Sequence, residues 1–266
     1  MREVAALIRA AWLTASSYRF GMLLSIVGLA AVVVPLYFIA VALQPTMASA
    51  IAGESGQYFA FAVVGAVTFS LVSTSMTALP NAIDGAIGRG TLEVILGTPA
   101  RLPAICVGLM GYNVLWALFR AAILILAAAA LGTRIVWAGA LPGVAILLLT
   151  MLCYAGLGFA VAALVLVFRT SGPISATFLT GSMFLGGVYY PSHVIPSWIR
   201  SLADVVPLTY GLRAFRHVVL RGDFSIAVAH DVVTLAAMTM ATLAIGVGAF
   251  TLALRRARTT GTLSSY

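Results

Sequence analysis

The sequence predicts an all-α polytopic membrane protein. It expects six transmembrane helices, an N-terminal amphipathic interfacial helix and short outer-leaflet helices before the last span. Three observations lead there. Of 266 residues, 62% are apolar and only 8% charged, against roughly a quarter charged in an ordinary soluble domain. The apolar residues fall in runs close to the ~20 residues a helix needs to cross the hydrocarbon core. Those runs lack period-2 alternation, so they predict helices rather than barrel strands. The chain is read as one membrane domain over 1–266.

Residues 1–20 come first and differ from the rest. Val4, Leu7, Ile8, Ala11 and Trp12 recur at helical spacing with Arg2, Arg9 and Arg19 around them. This is the pattern of a helix lying on the membrane surface. The same arginines and Glu3 interrupt any apolar core of a cleavable signal peptide. The first span is expected over about 21–43, with Pro35 as a kink point. The second covers about 58–79 and stops before Pro80. The third covers about 104–131, after Pro103. The fourth, about 138–168, is long enough to tilt. The fifth, about 173–190, is short. The sixth, about 227–254, ends at Arg255, Arg256 and Arg258.

Net charge is +8, from fifteen arginines and no lysine against seven acids. Scattered at the ends of apolar runs, the arginines read as membrane flanks and exclude a nucleic-acid partner. An N-terminus-in, C-terminus-in topology puts nine arginines on the cytoplasmic side and five outside, with Arg120 inside the third span. Arg120 is the intramembrane charge. Its candidate partners are backbone carbonyls, lipid phosphate, a neighbouring chain or substrate. Cys106 and Cys153 sit in apolar runs and read as small packing residues.

Two connecting segments carry their own amphipathic patterns. In 80–103, on the cytoplasmic side, Leu92, Ile95 and Leu96 form an apolar stripe. Thr91 can cap that helix and Pro99 stops it. Such a helix lies on lipid or docks into a partner's groove. In 191–226, on the outer side, Pro196 and Pro207 each start a short helix. Ile195, Trp198, Ile199 and Leu202 fall on one face, and Leu208, Leu212 and Phe215 on another. Both helices would dip into the outer leaflet, anchored by Trp198 and Tyr210.

These segments resemble those of the ABC-2 type ABC transporter permease family. Gly90-Thr91-Leu92-Glu93 with Thr98-Pro99 is similar to the family's cytoplasmic G-T-L-E…T-P segment. Pro191…Ile195-Pro196-Ser197-Trp198, then Pro207-Leu208-Thr209-Tyr210 and Arg216, resembles its signature before the last span. The chain departs from the pattern at Arg89, where acids often precede the Gly-Thr-Leu-Glu, and at Val206, where asparagine is usual. The resemblance implies a subunit of a bacterial exporter in the cytoplasmic membrane, with substrates such as drugs, lipids or polysaccharides. Its partners would be two separate ABC ATPase subunits, a second permease that is identical or homologous, and membrane lipid. It implies that Arg89, Gly90, Thr91, Leu92, Glu93, Ile95, Leu96, Thr98 and Pro99 couple to the ATPase. It also implies that Pro191, Pro196, Trp198, Pro207, Thr209, Tyr210 and Arg216 shape the outer exit.

The sequence contains no GxxxxGK[ST] phosphate loop, so no cofactor is expected on this chain; ATP and Mg belong to the ATPase. No metal site and no catalytic residue are expected: the three histidines, His193, His217 and His230, are not spaced as ligands. Asp84-Gly85-Ala86-Ile87-Gly88-Arg89 is similar to the opening motif of membrane CDP-alcohol phosphotransferases, but the later aspartates of that family are missing. A stand-alone transporter or channel and a lipid-metabolising membrane enzyme are the rival functions. The first would need midplane ionisable groups or inverted repeats, and the second would need paired acids.

Overall fold

The structure, a computed structural model, describes residues 19–91, 102–133, 136–168, 172–191 and 194–259. Among these there are eight α-helices and no strand. They are α1 (Arg19–Ile51), α2 (Tyr58–Gly88), α3 (Leu102–Ala130), α4 (Ala140–Phe168), α5 (Gly172–Leu185), α6 (Ser197–Ala203), α7 (Pro207–Arg216) and α8 (Ile226–Thr259). A 3-10 turn, Trp137–Gly139, leads into α4, and a five-residue π turn, His217–Arg221, continues α7. The expected surface helix over 1–20 and the stripe over 92–99 lie outside the described residues, apart from the last two residues of the former.

Five of the helices are long and apolar enough to cross a membrane. The expected fifth span is not one of them. It is α5, whose 14 residues extend about 21 Å, short of the ~30 Å hydrocarbon core. Gly186 and Gly187, the latter with φ +70°, end the helix there, and residues 186–190 form turns and bends instead of further helix. Other boundaries shift in the opposite direction. α1 runs through Pro35 and Pro45 to Ile51, and α8 continues past Arg255 and Arg256.

The second span likewise does not stop before Pro80. α2 passes through it and ends at Gly88. Proline removes the N–H that would bond the carbonyl four residues back, here Met76. That freed oxygen faces Gly158 of α4, where a Cβ would sit 2.6 Å from it. The glycine lets the neighbouring backbone close over the gap, as buried membrane helices require.

α2 is the centre of the bundle and the most buried span. It packs against α1, α3 and α4, and α8 lies along the far side of α4. Phe61, Leu71, Tyr154, Leu208 and Leu235 belong to the main buried core, and Leu79 to a second one with Ile83 and Phe250. The α4–α8 contact is made at small residues. A Cβ at Gly156 would meet the backbone of Thr242 and Leu243 at 2.7 Å, and one at Gly246 would lie 1.9 Å from the Gly156 carbonyl oxygen. Cys153 is buried in this contact, its Sγ 3.5 Å from Thr242 Oγ1. Apolar side chains on the outer faces of α1, α3 and α8 are exposed, among them Phe38, Leu126 and Met240.

Candidate functional site

The loops separate onto two ends of the bundle. The described residues of the connections, 52–57, 131–133, 136, 186–191 and 194–225, gather at one end. The C-terminal ends of α2, α4 and α8 lie at the other.

At the first end, α6 and α7 form a folded-back pair, as their prolines predict. Pro196 is the N-cap of α6, and Pro207 stands at the first turn of α7. The Thr209 hydroxyl donates to the Ala203 carbonyl at 2.8 Å, tying the two helices together. Pro191 and Pro207 are buried, whereas Pro196 is exposed. Leu208, Leu212 and Phe215 turn into the core, so this face of α7 packs on protein rather than on lipid. α6 differs: Trp198 is 78% exposed, and Leu202 and Val205 stand beside it at the surface. Tyr210 is half-buried and donates to the Asp204 carbonyl at 2.9 Å.

Arg216 holds this pair against the spans. Its side chain is 2% exposed. Nη1 donates to Glu54 Oε2 at 3.2 Å and to the Gly187 carbonyl at 3.0 Å. Nη2 donates to the carbonyls of Val188 at 2.8 Å and Phe61 at 3.1 Å. The guanidinium carbon lies 3.4 Å from the centroid of the Phe61 ring, within cation–π range. One side chain therefore joins α7, the turn after α5, the α1–α2 loop and α2. Burial pushes the guanidinium down to about 10, against the opposing pull of Glu54, so it stays cationic at neutral pH. Gly65, one turn along α2, makes room for it. A Cβ there would fall 2.1 Å from the Val188 oxygen and 2.8 Å from Arg216 Nη2.

Further bonds fasten the same segment. Tyr58 donates from its hydroxyl to the Tyr189 carbonyl at 2.9 Å. Val136 N–H donates to the Val219 carbonyl at 2.9 Å, and Arg221 donates to the Gly53 carbonyl. Arg213 of α7 forms a two-pronged ion pair with Asp231 of α8, Nε to Oδ2 at 2.7 Å and Nη2 to Oδ1. Hydrogen bonding to Asp231 raises the Arg213 guanidinium above its ordinary value, against burial.

Of the candidate exit residues, Arg216 makes the junction with the spans, Pro207 and Thr209 are buried nearer the start of α7, and Trp198 and Pro196 are exposed. Glu54, Phe61 and the Arg213–Asp231 pair are part of the junction without having been singled out from the sequence. Glu54 carried a signal: it is an acid in a short loop that the expected topology puts on the same side as a segment with four arginines.

At the other end, Arg89, Gly90 and Thr91 are exposed. Gly90 has φ +65°, and the Thr91 N–H donates to the Ala86 carbonyl at 2.9 Å, a helix-ending turn. The Thr91 hydroxyl reaches the same carbonyl at 3.3 Å. Thr91 thus closes the end of α2; the helix it is expected to cap begins beyond the described residues. Leu92, Glu93, Ile95, Leu96, Thr98 and Pro99 lie outside the described residues.

Arg120 stands within α3, partly buried, and its Nε is buried without a hydrogen-bond partner. No ion pair involves it among the described residues. A charge at the centre of a bilayer costs about 2.5–3.5 kcal/mol on insertion scales and more in isolation. No group of three His, Cys, Asp or Glu side chains among the described residues could hold a metal ion.

Long apolar helices around a central span, with a helical pair folded back into one end, define a polytopic all-α membrane protein. A model of the ABC-2 type transporter family matches residues 2–220, and the chain belongs to that family. Family membership makes it a permease subunit of an ABC transporter, a transport component of the kind that works with ABC ATPases. The matched stretch includes the folded-back pair and ends in the π turn before α8. No curated protein matches the chain.

Proposed function

We propose that the chain is the pathway-forming subunit of an ATP-driven exporter in a bacterial cytoplasmic membrane. It moves an amphipathic, drug-like or lipid-linked substrate out of the cytoplasm or inner leaflet. Two permease chains, identical or homologous, enclose the path, and two separate ATPase subunits hold ATP and Mg. Both termini are cytoplasmic. Residues 191–226 form the outer exit, and 89–99 receive the motion of the ATPase.

The observation that carries this reading is the division of labour between the two ends. The folded-back pair is clamped by Arg216 to three other segments at one end, so a tilt of α2 moves the pair with it. The exposed Gly90-Thr91 turn lies at the opposite end of the same α2. α2 is therefore a continuous lever between the end offered to an ATPase and the end that closes the exit. The exposed apolar faces of α1, α3 and α8 supply surface for lipid and for a second permease.

The test is to purify the tagged chain from its own host in mild detergent. An ABC ATPase bearing a phosphate loop should accompany it, and the complex should hydrolyse ATP. Recovery of the folded permease without any such ATPase, across detergents and nanodiscs, overturns the proposal.

A further inference from the structure

We infer that Arg120 recognises the anionic head, a carboxylate or phosphate, of an amphiphile held at mid-depth of the membrane. This rests on the exporter reading and names the chemistry of its cargo.

Depth comes first. The apolar span of α3 is Ile105–Ala130, and Arg120 lies about 4 Å from its midpoint at 1.5 Å per residue. With the span centred, the nearer edge of the hydrocarbon core is about 11 Å further on. Helical side chains lean toward the N-terminus of their helix, so Arg120 leans away from that edge. Snorkelling outward runs against the geometry of the helix, and a bilayer phospholipid keeps its phosphate above this level.

Charge comes second. The chain has seven acids: Glu3, Glu54, Asp84, Glu93, Asp204, Asp223 and Asp231. Glu54 is bonded to Arg216 and Asp231 to Arg213. Asp84 lies in the last turns of α2, and Asp204 and Asp223 flank α7. None stands midway along a span. A second identical chain brings the same seven, so pairing two copies does not neutralise Arg120.

The surroundings come third. Tyr112, Asn113 and Trp116 stand eight, seven and four residues before Arg120, on the same stripe of α3. Asn113 is exposed and the other two are half-buried. Trp116 stacks on Phe119 at 5.4 Å between centroids. The stripe offers an aromatic flank for an alkyl chain and a carboxamide about two turns before the guanidinium on the same face. The guanidinium fork matches the paired oxygens of a carboxylate or phosphate.

The permease with its ATPase subunits, in nanodiscs of zwitterionic lipid, is irradiated with a photoreactive dodecyl phosphate, and the adducts are mapped by mass spectrometry. They should fall within residues 112–124. Arg120→Gln should lower this labelling about tenfold or more, the scale of a charge-assisted hydrogen bond, and Arg120→Lys should retain most of it. On the wild-type protein, unlabelled dodecyl phosphate and dodecanoate should compete, while dodecanol and dodecyltrimethylammonium should not; this arm requires no variant to fold. Equal labelling of Arg120→Gln, or competition by dodecanol as strong as by dodecyl phosphate, overturns the inference. So does equal labelling of 112–124 by a photoreactive phosphatidic acid, which would assign the site to bilayer lipid. ATPase recovery is scored in the same preparation. ATPase without charge-selective labelling removes the anion site alone; charge-selective labelling without ATPase removes the exporter reading alone.

Discussion

Arg216 and Arg120 are both arginines in apolar surroundings, and they differ in whether the fold provides acceptors. Arg216 has four, a carboxylate and three carbonyls for its two Nη groups, although its buried Nε, like that of Arg120, has no partner. The two members of the Glu54–Arg216 pair are therefore unequal. Arg216→Met strands the Glu54 charge and three buried carbonyls at once, and should cost about 3–5 kcal/mol, as breaking a buried pair does. Glu54→Gln leaves the guanidinium with its carbonyls and the Phe61 ring. It should cost about 1–3 kcal/mol, the scale of one charged hydrogen bond. Thermal unfolding of both variants in nanodiscs, together with the double variant, measures the difference; equal losses would mean that the carbonyls contribute nothing. Arg216 was legible in the sequence only through its family signature. Its acceptors were not, because three of them are backbone oxygens, and two of these, of Gly187 and Val188, take their place only where α5 stops.

Helices were the most legible level, because a run of apolar residues near 20 long has one solution in lipid. Their ends were less so. Pro80 looked like a stop, yet α2 passes it because Gly158 on another helix covers the freed carbonyl, a tertiary effect invisible along the chain. The reverse holds at Gly186-Gly187, where a local break ends α5 inside an apolar run. The α4–α8 contact supplies a test at this scale, since two glycines on α8 stand two residues apart. Gly246→Ala would place its methyl 1.9 Å from the Gly156 oxygen and must push the helices apart, whereas a methyl at Gly248 meets nothing within 4 Å. Gly248→Ala should be neutral or slightly stabilising, since alanine is the better helix former by about 1 kcal/mol. Gly246→Ala should lose more than it gains from propensity and should reduce the yield of monodisperse protein. Size-exclusion profiles at matched expression compare the two. Similar profiles would place the α4–α8 contact elsewhere.

At the scale of the whole molecule, the separation of the two ends turns topology and coupling into linked questions. Cysteines placed at Ser192 and Thr260, in a background lacking Cys106 and Cys153, should react with an impermeant maleimide from opposite sides of intact cells. Labelling from the same side would break the proposed topology. That orientation is an expectation from the arginine bias, blurred by the four arginines of 191–226; of these, Arg213, Arg216 and Arg221 bind Asp231, Glu54 and backbone carbonyls instead of facing solvent freely. Coupling is the sharper question. If 89–99 docks into an ATPase groove, Leu92, Ile95 and Leu96 are its desolvated anchors, and Glu93 belongs to the rim. An anchor in such a groove is worth about 2 kcal/mol or more, and a rim charge less than about 1 kcal/mol. Leu96→Asp would also bury a carboxylate without a partner, so it should abolish ATPase recovery, while Glu93→Ala weakens it slightly. Both variants should insert normally, because neither position lies in a span. A segment resting on lipid behaves differently: Leu96→Asp then loosens it from the membrane and leaves ATPase recovery unchanged. Pull-downs of the two variants from detergent, at equal expression, separate these outcomes. Full recovery with Leu96→Asp would leave the lever of α2 without an input at its exposed end.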